Sequence, residues 1–355
     1  MTSKEEKDKS SESNQTFPTW TFDKACPAME WTSLSPVSIT LLSDIKTVDA
    51  LKVADLIILP IVSESSEDKD LALQDLAAQV DATSTQGALA QVVREQAKAL
   101  AKRGGTSPTV RVVADGKTTK YMLLSVGSLN DINTSAAAGF SLGKAIATAC
   151  GSEKKVAMVT VVLPEVIASN ETVVTDMVTG IYQSLYVDNR FRSKKKPMAE
   201  DLTSIVLASQ GAICDASAVQ LGKDIAAGVI MAKDIVNAPH NVLNSESLAE
   251  TARRIAASSK DGTVACTILD KTECEKRGMG AYLAVARGSE TEPQFIHMTY
   301  KPKDGDVKRK VALVGKGLLF DTGGYNVKTQ MMELMKFDCG GKFSYLADFM
   351  SHWPL

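Results

Sequence analysis

The chain is predicted to be an α/β protein with an N-terminal mostly parallel α/β domain, a connector helix, and an incomplete second α/β domain. Three observations predict it. Short runs rich in Val, Ile and Leu recur at strand length, and longer stretches of Ala, Gln, Glu, Lys and Leu alternate with them at helix length. A long Ala/Ile/Val/Lys stretch at 216–236 then separates one such alternation from another. A chain of 355 residues is long enough for each part to bury its own core.

Taken in order, residues 1–35 form a polar tail whose first twenty residues are rich in Lys, Glu and Ser and read as solvated and disordered. Residues 36–200 make the first domain. Its strands are expected at 37–42, 56–62, 110–114, 121–126 and 156–163, and its helices at 83–102, 136–150 and 172–186. The basic run from Arg190 to Pro197 reads as an exposed loop, because no aromatic ladder or further basic helix accompanies it. Residues 201–239 add a strand at 202–207 and the connector helix, which Pro239 stops. The second domain covers 240–341. There Asn244 to Ser247 offers an N-cap for a helix at 248–259, strands are expected at 264–269, 294–300 and 310–319, and a helix at 272–279. About 115 residues beyond Pro239 fall short of a full doubly wound domain, so this unit is expected to be incomplete.

Composition narrows the function. A net charge of −2 gives no footprint for nucleic acid or an anionic membrane. The six cysteines are scattered, which fits reduced thiols, and the three histidines lack zinc-site spacing, so a metal here would rely on carboxylates. Residues 1–20 hold no apolar run for a secretory signal, and Glu5, Glu6, Asp8 and Glu12 break the acid-poor pattern of a transit peptide. No later segment is long and apolar enough to span a bilayer. The expected location is the cytoplasm.

The chemistry concentrates near the C-terminus. The apolar run Val311 to Val314 leads through Gly315-Lys316-Gly317 to Asp321, Gly323-Gly324 and Lys328, then to Asp338 beside Gly340-Gly341. Ligand sites in parallel sheets form beyond the carboxyl ends of strands, where Lys316 and Asp321 would lie. By spacing alone, a lysine beside a carboxylate is equally an ion pair or a ligand pair. Two aspartates and a lysine converging on a cleft could hold Mg²⁺, Mn²⁺ or Zn²⁺. A dinucleotide fingerprint fails at Phe320, and a P-loop fails at Lys336 and Phe343.

The stretch from Val314 to Lys328, with Glu333 to Gly341, closely resembles the leucine (cytosol) aminopeptidase family. Asp234 to Leu243, Gly278 to Arg287 and Pro293 to Pro302 agree with it. The resemblance implies a central mixed sheet in the catalytic domain and a two-metal aminopeptidase using Mn²⁺ or Zn²⁺, with Mg²⁺ a third choice. It implies Lys316, Asp321 and Asp338 as metal ligands, Asp321 touching both ions, and Lys328 as the catalytic lysine that polarises the scissile carbonyl. Met335 would line an apolar pocket for the substrate's first side chain, with a plain core role as the alternative. It further implies peptide substrates and a homo-oligomer, a hexamer in the family, with no nucleic acid and no membrane.

The family's downstream Asn-Thr-Asp-Ala-Glu-Gly-Arg stretch does not occur here. Four aromatics (Phe343, Tyr345, Phe349, Trp353) crowd residues 342–355 in a chain that is 5% aromatic, so the sequence is expected to leave the family frame after Gly341. A truncated catalytic domain would expose 311–319 as an apolar edge and favour poor solubility or dependence on partners. The alternative function is a non-catalytic homologue serving as an assembly or binding module.

Overall fold

The computed structural model describes residues 32, 35–63, 71–73, 75–114, 116–128, 138–195, 199–259, 263–303, 307 and 309–341. The expected tail at 1–35 (apart from Thr32 and Ser35) and the aromatic-rich stretch at 342–355 lie outside the described residues.

The first domain is a seven-stranded sheet. Its strands are β1 (Ser38–Leu42), β2 (Leu56–Ser63), β3 (Leu71–Leu73), β4 (Val110–Ala114), β5 (Lys117–Gly127), β6 (Met158–Leu163) and β7 (Ser204–Ser209). The order is β1-β7-β6-β2-β5-β4, with β3 paired beside the end of β2. The five strands from β1 to β5 in that order run parallel, while β3 and β4 are antiparallel. The apolar runs behave as a parallel sheet buried on both faces requires. Leu56 and Ile58 of β2 face one core with Val159 and Val161 of β6, and Ile57, Leu59 and Ile61 face the other.

Helices cover both faces. Helix α1 (Asp75–Val80) and α2 (Ala88–Leu100) pack on the second core, while α3 (Ala138–Ser152), α4 (Glu165–Ala168) and α5 (Glu171–Leu185) pack on the first. Helix α2 starts later than the 83 expected. The chain makes a π-helical turn at Asp81–Thr85, and Gln86 and Gly87 then take positive φ, breaking the helical path. The buried Asp81 carboxylate accepts the amides of Leu89 (2.8 Å) and Ala90 (3.0 Å), capping α2 from outside it. Helices α3 and α5 touch backbone to backbone. A Cβ on Gly143 would lie 2.0 Å from the Met177 carbonyl oxygen, and one on Gly180 would lie 2.5 Å from that of Phe140.

Helix α6 (Ala216–Asn237) lies against α5, where Thr175 and Thr179 donate to the carbonyls of Ala218 (3.2 Å) and Gly222 (3.1 Å). Beyond it come α7 (Ser245–Ser258), β8 (Val264–Leu269), α8 (Lys271–Lys276), α9 (Gly280–Ala286) and β9 (Phe295–Tyr300). Asn244 and Ser247 form a reciprocal capping box at the start of α7. Strands β8 and β9 pair antiparallel as a two-stranded sheet.

One expected strand is not there. Residues 310–319 are irregular, with Val311 72% and Val314 89% exposed, so Lys316 does not follow a buried strand. An apolar run becomes a strand only where a neighbour takes up its N–H and C=O groups, and no ladder reaches these residues. The expected apolar sheet edge is therefore an exposed, irregular segment. Residues 280–286, in contrast, form a helix that the sequence reading did not assign.

The α3–α5 contact makes a direct stability prediction. Gly143→Val forces the two helices apart and should cost about 1–3 kcal/mol. Urea unfolding followed by circular dichroism checks it, and a midpoint equal to that of the parent chain refutes it.

Candidate active site

The loop carrying Asp321 and Lys328 is closed by local hydrogen bonds. Gly323 and Gly324 both take positive φ, and a Cβ on Gly323 would sit 2.2 Å from the Asn326 carbonyl oxygen, so this turn needs glycine. The Gly323 amide donates to Asp321 Oδ1 (2.8 Å), and the Lys328 amide donates to the Thr322 carbonyl (2.9 Å). That closure brings Lys328 Nζ within 3.2 Å of Asp321 Oδ2. The Gly323 amide first, and the Lys328 ammonium after it, hold the Asp321 carboxyl below the usual carboxylate range.

Asp338 stands on a 3-10 helix, Met332–Cys339. Side chains three apart eclipse in such a helix, so its sequence sorts onto faces. Lys336 and Cys339 share the face that anchors. Cys339 is fully buried among Ile235, Ala238, Leu243, Leu248 and Ile255, and Lys336 Nζ donates to the Val236 carbonyl in the last turn of α6. A cation at a helix C-terminus meets carbonyls that have no partner within the helix. Burial pulls the Lys336 ammonium below its ordinary range. Met335 and Asp338 share another face. Asp338 Oδ2 accepts Lys316 Nζ at 2.6 Å, and Met335 is half-buried.

The end of α6 is itself fixed by a charged cluster. The Asp234 carboxylate is fully buried. It accepts the Thr32 amide and hydroxyl (2.8 Å to the latter) and the Tyr186 hydroxyl (2.8 Å). The Arg190 guanidinium lies 3.2 Å from Asp234 Oδ1 and donates to the Asp234 carbonyl at 2.7 Å. Asp188 grips the same guanidinium at 2.9 Å, and Arg190 keeps the Asp188 carboxyl low. Burial, then the Asp234 carboxylate, pushes the Tyr186 phenol well up. The basic run was expected to be an exposed loop. Residues 191–195 are exposed, but the Arg190 side chain is only 12% exposed. The sequence reading missed this cluster because its members lie up to 202 residues apart, and the only signal was an arginine at the edge of a polar run.

The structure thus brings the four charged candidates together as two carboxylate–lysine pairs, Asp338 with Lys316 and Asp321 with Lys328. Among the described residues, no three His, Cys, Asp or Glu side chains converge as a metal cage. No helix among them is long and apolar enough to cross a membrane.

An α/β chain with two carboxylate–lysine pairs fits several classes of site, and comparison with known proteins makes the family specific. Residues 58–195 match the N-terminal domain of the cytosol aminopeptidase family, and residues 230–351 match its catalytic domain. The chain belongs to that family. It is 39% identical over 210 residues to "Leucine aminopeptidase 1" of Arabidopsis thaliana, covering 58% of this chain and 40% of that protein. It is 36% identical over 260 residues to the "Probable cytosol aminopeptidase" of a Picosynechococcus species, covering 72% of this chain and 50% of that one. A solved tomato leucine aminopeptidase point mutant is similar at a TM-score of 0.70 and 28% identity, covering 92% of this chain and 61% of that chain. The chain spans half or less of the length of these two curated relatives.

Two outcomes follow from the geometry. Arg190→Met leaves the buried Asp234 charge without its cation and should cost about 3–5 kcal/mol. Because α6 carries the acceptor of Lys336, amide exchange at 234–238 and 336–339 should quicken together. Protection that is unchanged at 336–339 would break the link.

The second concerns acid. The folded-state pKa of Asp321 is lowered, so the contribution of its ion pair is present above the ordinary value of 3.8 and is lost as pH falls through the lowered one. An NMR titration of the Asp321 carboxyl should give a midpoint below 3.8, moving upward in Lys328→Gln.

Proposed function

We propose that this chain is a metal-dependent aminopeptidase of the leucyl type, hydrolysing N-terminal residues from peptides in the cytoplasm. The observation that carries the reading is the assembly of Lys316, Asp321, Lys328 and Asp338 into two adjoining pairs in a chain of the cytosol aminopeptidase family. The donors suit a hard divalent cation in kind, since both are carboxylates that already attract positive charge. Asp321, Asp338 and Lys316 would hold the metal, two ions of Mn²⁺ or Zn²⁺ or else Mg²⁺. Their chemistry is Lewis acidity and the lowering of a water's pKa so that it attacks at neutral pH.

The chain's own residues then have definite tasks. Lys316 must lose its ammonium proton to act as a ligand, which means giving up its ion pair with Asp338. Lys328, freed from Asp321, would direct its ammonium at the scissile carbonyl and stabilise the developing oxyanion. Met335, on the same face of the 3-10 helix as Asp338, would meet the first side chain of the substrate. We also assign the chain peptide substrates and further copies of itself as partners, six in the family's manner.

A second reading has one observation in its favour. Both carboxylates are already neutralised by lysines, and no third carboxylate joins them among the described residues, as suits a non-catalytic assembly or binding module.

An assay with Mn²⁺ and a leucine amide reporter separates the two. The enzyme reading expects turnover that falls by about 10²-fold or more in Lys328→Met. Saturable Mn²⁺ binding without turnover would favour the module, and absence of both would remove the metal assignment.

A further inference from the structure

The first domain contains a crevice that shares no residue with the Lys316–Asp338 site, and its position follows from the sheet topology. Strands β2 and β6 are neighbours, yet the chain leaves them in opposite directions. After β2 it runs through α1 and α2 towards β4 and β5, on one face. After β6 it runs through α4 and α5 to β7, on the other. In open α/β sheets such a reversal opens a cleft beyond the carboxyl ends of the strands, and ligands bind there. The β2–β6 ladder stops at the Ile58–Val161 pair, and Pro60, two residues on, has no N–H with which to extend a ladder. A crevice of about 650 Å³ opens at that point, within the size range of small-molecule sites.

Its lining sets the ligand chemistry. Pro164 and the exposed Val166 give it an apolar side, and Glu165 and Gln210 are among its polar groups. Glu165 Oε1 accepts the Ala212 amide at 3.2 Å, and its Oε2 lies 2.2 Å from where a Cβ on residue 211 would be, so Gly211 leaves room for the carboxylate. Among the described residues no lysine or arginine lines the crevice, and the one formal charge there is negative. That disfavours phosphates and carboxylates and favours a cation.

We propose that this crevice binds a small primary amine bearing an apolar group, with the ammonium on Glu165 and the apolar group against Pro164 and Val166. The site is independent of the aminopeptidase reading.

The test is calorimetric titration of the full 355-residue chain with L-leucinamide, in EDTA so that it is not hydrolysed. An Asp321→Asn/Asp338→Asn background removes the two ammonium-accepting carboxylates of the other site. Leucinamide should bind saturably and more tightly than the anion isovalerate or the neutral 4-methylpentanamide. Glu165→Gln, which keeps an acceptor for the Ala212 amide, should weaken binding by about fivefold, the scale of an exposed ion pair. Val166→Lys, at an exposed position of the lining, should weaken it similarly and decides the matter if Glu165→Gln folds poorly. Absence of saturable binding, equal affinity for isovalerate, or indifference to Val166→Lys would each overturn the proposal.

Discussion

The buried carboxylate of Asp234 is the constraint to which the rest of the molecule is fitted. A charge taken fully out of water is tolerated only where donors and a counter-charge replace its hydration. Here they come from three separate places: Thr32 ahead of β1, Tyr186 just past α5, and Arg190 in the loop beyond it. Satisfying this one group therefore fixes the last turn of α6 against the first domain. Two residues further on, the Val236 carbonyl receives Lys336, which belongs to the same 3-10 helix as Asp338. The placement of the candidate metal-ligating carboxylate is in this sense inherited from a buried ion cluster with which it shares no hydrogen bond or ion pair given above.

The 3-10 helix converts that anchorage into chemistry through its period. With three residues per turn, alternating tasks fall on separate faces: Lys336 and Cys339 hold the helix down, while Met335 and Asp338 are presented together. An α-helix of the same sequence would splay these pairs, because its repeat is 3.6 residues. The two lysines at the site have a related role. Each of the two aspartates has an ammonium within ion-pair distance. The lowered pKa of Asp321 reflects the Gly323 amide first and the Lys328 ammonium after it, and it keeps that carboxylate anionic.

How far the sequence could be read depended on whether local pattern and burial coincide. The strands at 56–62 and 156–163 were legible because their apolar runs are buried on both faces. The run at 311–314 is also apolar and forms no strand, since apolar character signals a need for cover and cannot supply a neighbouring ladder. The box at Asn244 and Ser247 was legible because both partners sit within one turn, whereas the capping of α2 by Asp81 depends on a π-helical turn that no periodicity announces. At the site, the identities of Lys316, Asp321, Lys328 and Asp338 could be read from motif resemblance. Which lysine pairs with which carboxylate could not, because the pairing is set by the turn at Gly323 and by the anchoring of Cys339.

The two parts of the chain also differ in how much core supports them. The first domain is sealed on both faces of its sheet by two extensive apolar clusters. Among the described residues the second has one small cluster, to which the site segment is tied at Leu319 and at Cys339. From Leu319 to the 3-10 helix the hydrogen bonds and ion pair given above are local, and Tyr325 and Val327 face solvent. A site needs its reacting groups fixed to within a fraction of an ångström, which rigid elements supply better than loops do. Asp338, backed by a buried cysteine and a lysine on α6, meets that demand. Asp321 and Lys328, backed by a glycine turn and two amide hydrogen bonds, meet it less firmly. The Asp338 side of the site is therefore the better fixed of the two.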